Sequence, residues 1–383
     1  MQLHVFTNCN YFFKPLQYNS SKQDSRMKKV HNFSAGPGIL PAEVIKQSAE
    51  AVLNFDNLNL SLLEISHRSK NFIAVMDQAV ELVKDLLKLP SGYSVIFVGG
   101  GASTQFAMVP YNLLKTNGTA GYLNTGVWAS KAIKEAKIIG NTQVIASSED
   151  KQFSYIPKGY TIPDNLDYMH ITSNNTIYGT QLKEFPKSPV SLVCDMSSDI
   201  FSREINAADF DLIYAGAQKN MGPAGATLVV VKDEILGKTG RTLLSMLDYR
   251  THIKAGSMYN TPPVYPIYVS MLTMKWLKDN GGVSWIEKIN EQKAALLYSE
   301  IDRNSLFKGT VVKEDRSLMN VNFVLTQPEL EAEFDALTKA ANLSGLKGHR
   351  DVGGYRASLY NALPLESVKA LVEVMQEFEK KSA

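Results

Sequence analysis

Apolar and polar positions alternate in two rhythms along this chain, and the rhythm switches repeatedly. From Pro41, PAEVIKQSAEAVLNF opens on proline and carries apolar residues at helical spacing; from Asn71, NFIAVMDQAVELVKDLLKL continues as a longer amphipathic helix. YSVIFV then reads as a strand, GGG as a turn and ASTQFAMVPYNLL as a helix. Short strands follow in TAGYLNTG, TQVIASS, YMHITSNNT, VSLVCDMSSD and DLIYAG, each running into polar residues. Helices alternating with such strands predict an α/β fold with a largely parallel sheet, whose strand carboxyl ends are where ligands bind. The character changes near residue 280. VSMLTMKWLKDNGGVSWIEKINEQKAALLYSEID predicts two helices separated at Gly281 and Gly282, followed by a smaller α+β region containing MNVNFVL, LEAEFDALTKAANL and GYRASLY. In the final helix, from Pro364, Leu365, Val368, Leu371, Val372, Met375 and Phe378 share one face and predict core packing.

This pattern divides the chain into residues 28–285 as a large domain and 286–383 as a small C-terminal one, with 28–41 free to pack against the latter. Residues 1–27 lack either rhythm and read as an extension without catalytic work. Residues 1–26 form a poor secretory signal, with an organelle-targeting peptide as the alternative. Length and a 44% hydrophobic content suffice for two buried cores. A net charge of +2, from 40 basic and 38 acidic side chains, argues against a nucleic-acid or anionic-membrane partner, so any anion site must be local. No apolar run approaches the roughly 20 residues of a membrane span, and no His/Cys/carboxylate spacing suggests a metal. Cys9 and Cys194 lie far apart, and Cys194 sits in an apolar run, as expected of a reduced thiol in a cytoplasmic protein.

The most informative segment is DFDLIYAGAQKNMGPAGATLVVVK, Asp209 to Lys232. Apolar runs on both sides pin the loop that carries Lys219, so its amine faces a defended pocket, where burial depresses its pKa and makes it nucleophilic. Such an amine typically forms a Schiff base with a carbonyl, most often that of pyridoxal phosphate; a lysine in a tight surface turn is the other reading. Asp195, ending VSLVCD, can stand at a neighbouring strand end and face a pyridine nitrogen, or simply cap the SSD turn. GGGAST, Gly99 to Thr104, places the amides of Ala102 and Ser103 and the hydroxyls of Ser103 and Thr104 at a helix start that can cradle phosphate. Trp128 offers a stacking face, Thr176 a partner for a ring hydroxyl and Gln218 a partner for phosphate. Arg68 in EISHRSKNF, and His349, Arg350 and Arg356 in KGHRDVGGYRAS, suit a substrate bearing carboxylate and phosphate, though each arginine alone also fits a surface ion pair.

Taken together, NFSAGPGILPAEV, EISHRSKNF, GGGASTQF, GAQKNMGPAG, YNTPPVYPIY and KGHRDVGGYRASLYNA resemble the phosphoserine aminotransferases, class-V pyridoxal phosphate enzymes of fold type I. The resemblance runs from about Lys28 to the end and implies a mostly parallel seven-stranded sheet flanked by helices, beside a small α+β domain. It implies amino transfer between L-glutamate and 3-phosphohydroxypyruvate in serine synthesis, and in many bacteria a role in pyridoxine synthesis. It makes Lys219 the Schiff-base lysine and proton carrier and pairs Asp195 with the ring nitrogen. By the same resemblance Trp128 would stack on the ring, Thr176 would bond its hydroxyl, and Ala102, Ser103 and Gln218 would hold the phosphate. Asn260 and Thr261, from NTPP, complete the phosphate site of a neighbouring subunit, implying a homodimer. The resemblance likewise implies that Arg68 and Arg356 bind the substrate carboxylate and that His349 and Arg350 take its phosphate. One departure is Ser103, in GGGASTQ where the family often has GGGRGQ. It changes a side chain where backbone amides make the contact.

Overall fold

A computed structural model describes residues 29–350 and 352–382; the expected extension and Cys9 lie outside them. The strands are β1 (His31–Asn32), β2 (Tyr93–Val98), β3 (Thr119–Asn124), β4 (Asn141–Ser147), β5 (Tyr168–Thr172), β6 (Ser191–Asp195), β7 (Leu212–Gly216), β8 (Thr227–Lys232), β9 (Phe307–Gly309), β10 (Asn320–Leu325), β11 (Leu343–Ser344) and β12 (Tyr355–Ser358). The helices are α1 (Ala42–Leu53), α2 (Lys70–Leu86), α3 (Gly101–Leu113), α4 (Val127–Ile139), α5 (Tyr249–Lys254), α6 (Val264–Asp279), α7 (Gly282–Arg303), α8 (Glu331–Ala340) and α9 (Leu365–Ser382).

Seven strands form one sheet in the order β2-β8-β7-β6-β5-β3-β4, parallel throughout except for β8, which runs antiparallel to both β2 and β7. Strands β5 and β7 are buried along their whole length, as expected for strands covered on both faces. Their side chains alternate. Leu192, Cys194, Ile213, Ala215, Leu228 and Val230 join a core with α1, α2 and α6, whereas Val193, Leu212, Tyr214, Val229 and Val231 join a core with α3, α4 and α5. That alternation places Asp195 on the α3/α4 face, opposite Tyr214 in the β6–β7 register.

A second sheet, β12-β10-β9, is antiparallel and packs with α7, α8 and α9 around Phe307, Phe323, Phe334 and Phe378. The expected face of α9 is buried at Val368, Leu371, Val372, Met375 and Phe378; Leu365, at the helix start, is half-buried, and Val374 joins the core instead. Strand β1 pairs with β11, and Phe33 enters this second core. Gly281 caps α7 with φ of 114°, a conformation that glycine adopts freely, so the break falls where the sequence placed it. No helix among the described residues is long and apolar enough to cross a membrane. Cys194 is buried and unbridged.

Candidate active site

Strand β7 ends at Gly216 and β8 begins at Thr227, and Lys219 occupies the loop between them. Both flanking strands are core, so the loop is held at each end, and Lys219 is only 8% exposed. Its Nζ donates to Thr176 Oγ1 at 2.7 Å and lies 5.7 Å from the centre of the Trp128 ring. Burial pulls its pKa down to about 8; Asp195 opposes that shift and Arg356 adds to it. Asp195 ends β6, the neighbour of β7, and its Oδ1 accepts the Ser197 N–H at 2.9 Å. Burial raises the carboxyl's pKa, against the Ser197 hydrogen bond and the Lys219 charge. The structure therefore brings Lys219, Asp195, Thr176 and Trp128 to one place, and it rules out the surface-turn reading of Lys219.

Arg356 belongs to the same cluster although it comes from the second sheet. On β12, opposite Asn322 of β10, its Nη1 donates to Thr176 O at 3.3 Å. Thr176 thus accepts from two cationic side chains, through its hydroxyl and its carbonyl. Arg68 is exposed in the turn before α2, its Nε reaching His67 Nε2 at a long 3.4 Å. His349 is half-buried and Arg350 exposed, in the loop that turns back at Gly353, whose N–H donates to His349 O at 2.8 Å.

The glycine turn ends β2 as expected: Gly100 and Gly101 have φ of 90° and 67°, and α3 starts at Gly101. Ala102 and Ser103 sit in its first turn, where N–H groups lack helical partners and the helix dipole is positive. The Thr104 hydroxyl, expected to face an anion, instead donates to Gly100 O at 3.0 Å, because a threonine four residues past a carbonyl can bond back to it. Gln218 is half-buried, and its carbonyl accepts the Gly38 N–H at 2.7 Å. Asn260 and Thr261 are exposed in the turn preceding α6.

Sequence reasoning did not find the shell beneath these groups. Ser173 Oγ donates to Asp195 O at 3.0 Å and also bonds Asp199, which pairs with Arg203 at 3.3 Å. Gly38 is pressed between Lys219 and Tyr360, since a Cβ there would lie 2.7 Å from Lys219 O and 2.8 Å from Tyr360 Cδ2. Polar residues in SSD and glycine in GPG signal turns and nothing about what they touch.

A class-V aminotransferase family model matches residues 30–371. The phosphoserine aminotransferase of Flavobacterium johnsoniae is 63% identical over 354 residues, covering 92% of this chain and 99% of that one. This chain belongs to the phosphoserine aminotransferase family of class-V aminotransferases. Among solved structures, the phosphoserine aminotransferase of Bacillus circulans superposes with a TM-score of 0.90 at 44% identity, covering 93% of this chain and all of that one. The PLP-bound phosphoserine aminotransferase of Trichomonas vaginalis gives 0.87 at 34%, covering 91% and 100%.

The family's cofactor is pyridoxal phosphate, so this family member is a pyridoxal phosphate-dependent enzyme with a fold type I architecture. The residues present fit that group. A buried amine, a buried carboxylate, an indole face and a helix amino terminus together match its aldehyde, ring nitrogen, ring and phosphate. Trp128 Nε1, Thr172 Oγ1 and Arg356 Nε are buried and make no hydrogen bond within the protein.

Proposed function

We propose that this chain catalyses amino transfer between L-glutamate and 3-phosphohydroxypyruvate, giving O-phospho-L-serine and 2-oxoglutarate for serine synthesis. The same chemistry on a longer phosphorylated hydroxy-acid would serve pyridoxine synthesis. The observation that carries the reading is the buried Lys219 amine, its pKa lowered to about 8, held between Thr176, Asp195 and Arg356. Pyridoxal phosphate, when bound, supplies an aldehyde to carry the amino group and a ring to take up electrons from the substrate Cα. Lys219 Nζ would hold the cofactor and, when free, would accept the proton from the substrate Cα and return it to the cofactor carbon. A neutral amine is required for both tasks, and the pocket's dryness raises the fraction that is neutral. Asp195, itself shielded from water, holds a proton at the ring nitrogen by its charge. Trp128 covers the ring, Thr176 meets its hydroxyl, and the amides of Ala102 and Ser103 with Gln218 bind phosphate.

Arg356 grips the substrate carboxylate from β12 together with Arg68, while His349 and Arg350 take the substrate phosphate. Asn260 and Thr261, exposed on this protomer, complete the phosphate site of a second copy, so the working form is a homodimer. The chain divides into a large domain over 28–285 and a small one over 286–383, with the 28–41 segment packing on the small domain through β1 and Phe33, and the site lies between the two. The test is turnover of phosphohydroxypyruvate against pyruvate and glyoxylate with glutamate as donor. The phosphorylated acid is expected to be preferred, and Arg350→Ala to weaken it far more than glutamate. Better turnover of the unphosphorylated acids would contradict the assignment.

A further inference from the structure

Helix α7 buries two polar side chains about one turn apart, Asn290 and Lys293, both with no solvent exposure. Lys293 Nζ donates to three main-chain carbonyls: Leu359 O at 2.9 Å, Tyr360 O at 2.9 Å and Leu363 O at 3.1 Å. Three acceptors match the three N–H donors of an ammonium; a neutral amine has two and would set its lone pair against the third carbonyl. Burial works against that charge, lowering its pKa to about 7. Sequestering a cation is costly, and an apolar side chain of similar length would fill the same space without that cost.

The carbonyls it gathers belong to the segment that follows β12, the strand carrying Arg356. Asn290 Nδ2 holds the same segment, donating to Asn361 Oδ1 at 2.9 Å and also to Ser202 O at 3.0 Å. Asn361 then reaches across to the first sheet's loops: its N–H donates to Asn220 Oδ1 at 2.9 Å and its Nδ2 to Phe201 O at 2.9 Å. Asn220 directly follows Lys219. One face of α7 thus grips both the chain that presents Arg356 and, through Asn361, the loop that presents Lys219.

We propose that Lys293 is a positioning residue for amino transfer, setting where β12 ends and hence the placement of Arg356 relative to Lys219 Nζ. The inference rests on reading Lys219 and Arg356 as the groups on either side of the substrate. The test uses the full chain with Lys293→Met, which keeps most of the side chain's length and removes its donors. Three readouts are compared with the unsubstituted enzyme: KM and kcat for glutamate, the cofactor dissociation constant, and deuterium uptake of the cofactor-free protein. Expected are a rise in glutamate KM of about tenfold or more, cofactor affinity within about twofold of the original, and faster uptake confined to residues 217–222 and 359–363. Should Lys293→Met fail to fold, Asn290→Ala frees the same segment at its Asn361 side chain instead of its carbonyls and is expected to give the same pattern. A folded variant with unchanged glutamate KM and unchanged uptake at 217–222 overturns the proposal, as does loosening spread through the whole second core with kinetics intact. If the unsubstituted protein binds no cofactor, the amino-transfer reading fails and the proposal with it; if it binds cofactor and turns over while Lys293→Met leaves the glutamate KM unchanged, the proposal alone fails.

Discussion

The protonation of Lys219 can be measured directly in the cofactor-free protein, and its neighbours should move it in opposite directions. With a pKa of about 8 in place of the usual 10.5, about a tenth of the Lys219 amine is neutral at pH 7, roughly three hundred times the neutral fraction of an ordinary lysine. Arg356 contributes to that depression and Asp195 opposes it. The two cations bond different oxygens of the same threonine, at 2.7 Å and 3.3 Å, so they can stand no more than about 10 Å apart; at an effective dielectric constant of about 20 their repulsion is then at least about 1.7 kcal/mol, or about 1.2 pH units. Arg356→Met is therefore expected to raise the Lys219 midpoint to between about 9 and 9.5, and Asp195→Asn to lower it below that of the unsubstituted protein. Trace reductive methylation with isotopic formaldehyde across the alkaline range, quantified on the peptide containing Lys219, gives the midpoint independently of how slowly the reagent enters. A midpoint at the ordinary lysine value in the unsubstituted protein, or shifts of the same sign in the two variants, would refute the electrostatic account.

Other consequences concern stability. His170 is buried with its Nε2 against the Tyr214 hydroxyl at 2.9 Å, and burial lowers its pKa from 6.5 to about 3. Between those values the unfolded chain takes up a proton that the folded one does not, so stability falls as pH falls through that window. Urea unfolding should show that, of the stability lost between pH 7 and pH 5, about 2 kcal/mol disappears in His170→Phe; an identical loss in both proteins would contradict it. Gly38→Ala should cost about 1 to 3 kcal/mol and weaken cofactor binding, because the added methyl meets Lys219 O and the Tyr360 ring; a variant with unaltered melting and unaltered cofactor titration would show that the contact yields freely.

Much of the site was legible because its signals are local. Apolar runs flanking Lys219 announce a pinned loop, and the strands β7 and β8 that they become are indeed buried. GGGAST shows its turn through glycines that do adopt positive φ. What could not be read is pairing across distance. ATLVVV reads as a strand in any orientation, and only the sheet reveals that β8 runs against its neighbours. His31 finds Leu343, and Arg356 finds Thr176, through tertiary contacts that no periodicity encodes. Lys293 lies on an amphipathic helix where a lysine ordinarily signals the solvent face, and its burial comes from three carbonyls supplied by a segment some 70 residues later.

The central claim is that Lys219 is the amine that carries the cofactor. Borohydride reduction of the native protein followed by peptide mass mapping tests it: the account predicts a pyridoxyl phosphate adduct on the peptide containing Lys219, and its loss in Lys219→Ala. An adduct on any other lysine, or none after incubation with pyridoxal phosphate, would contradict it.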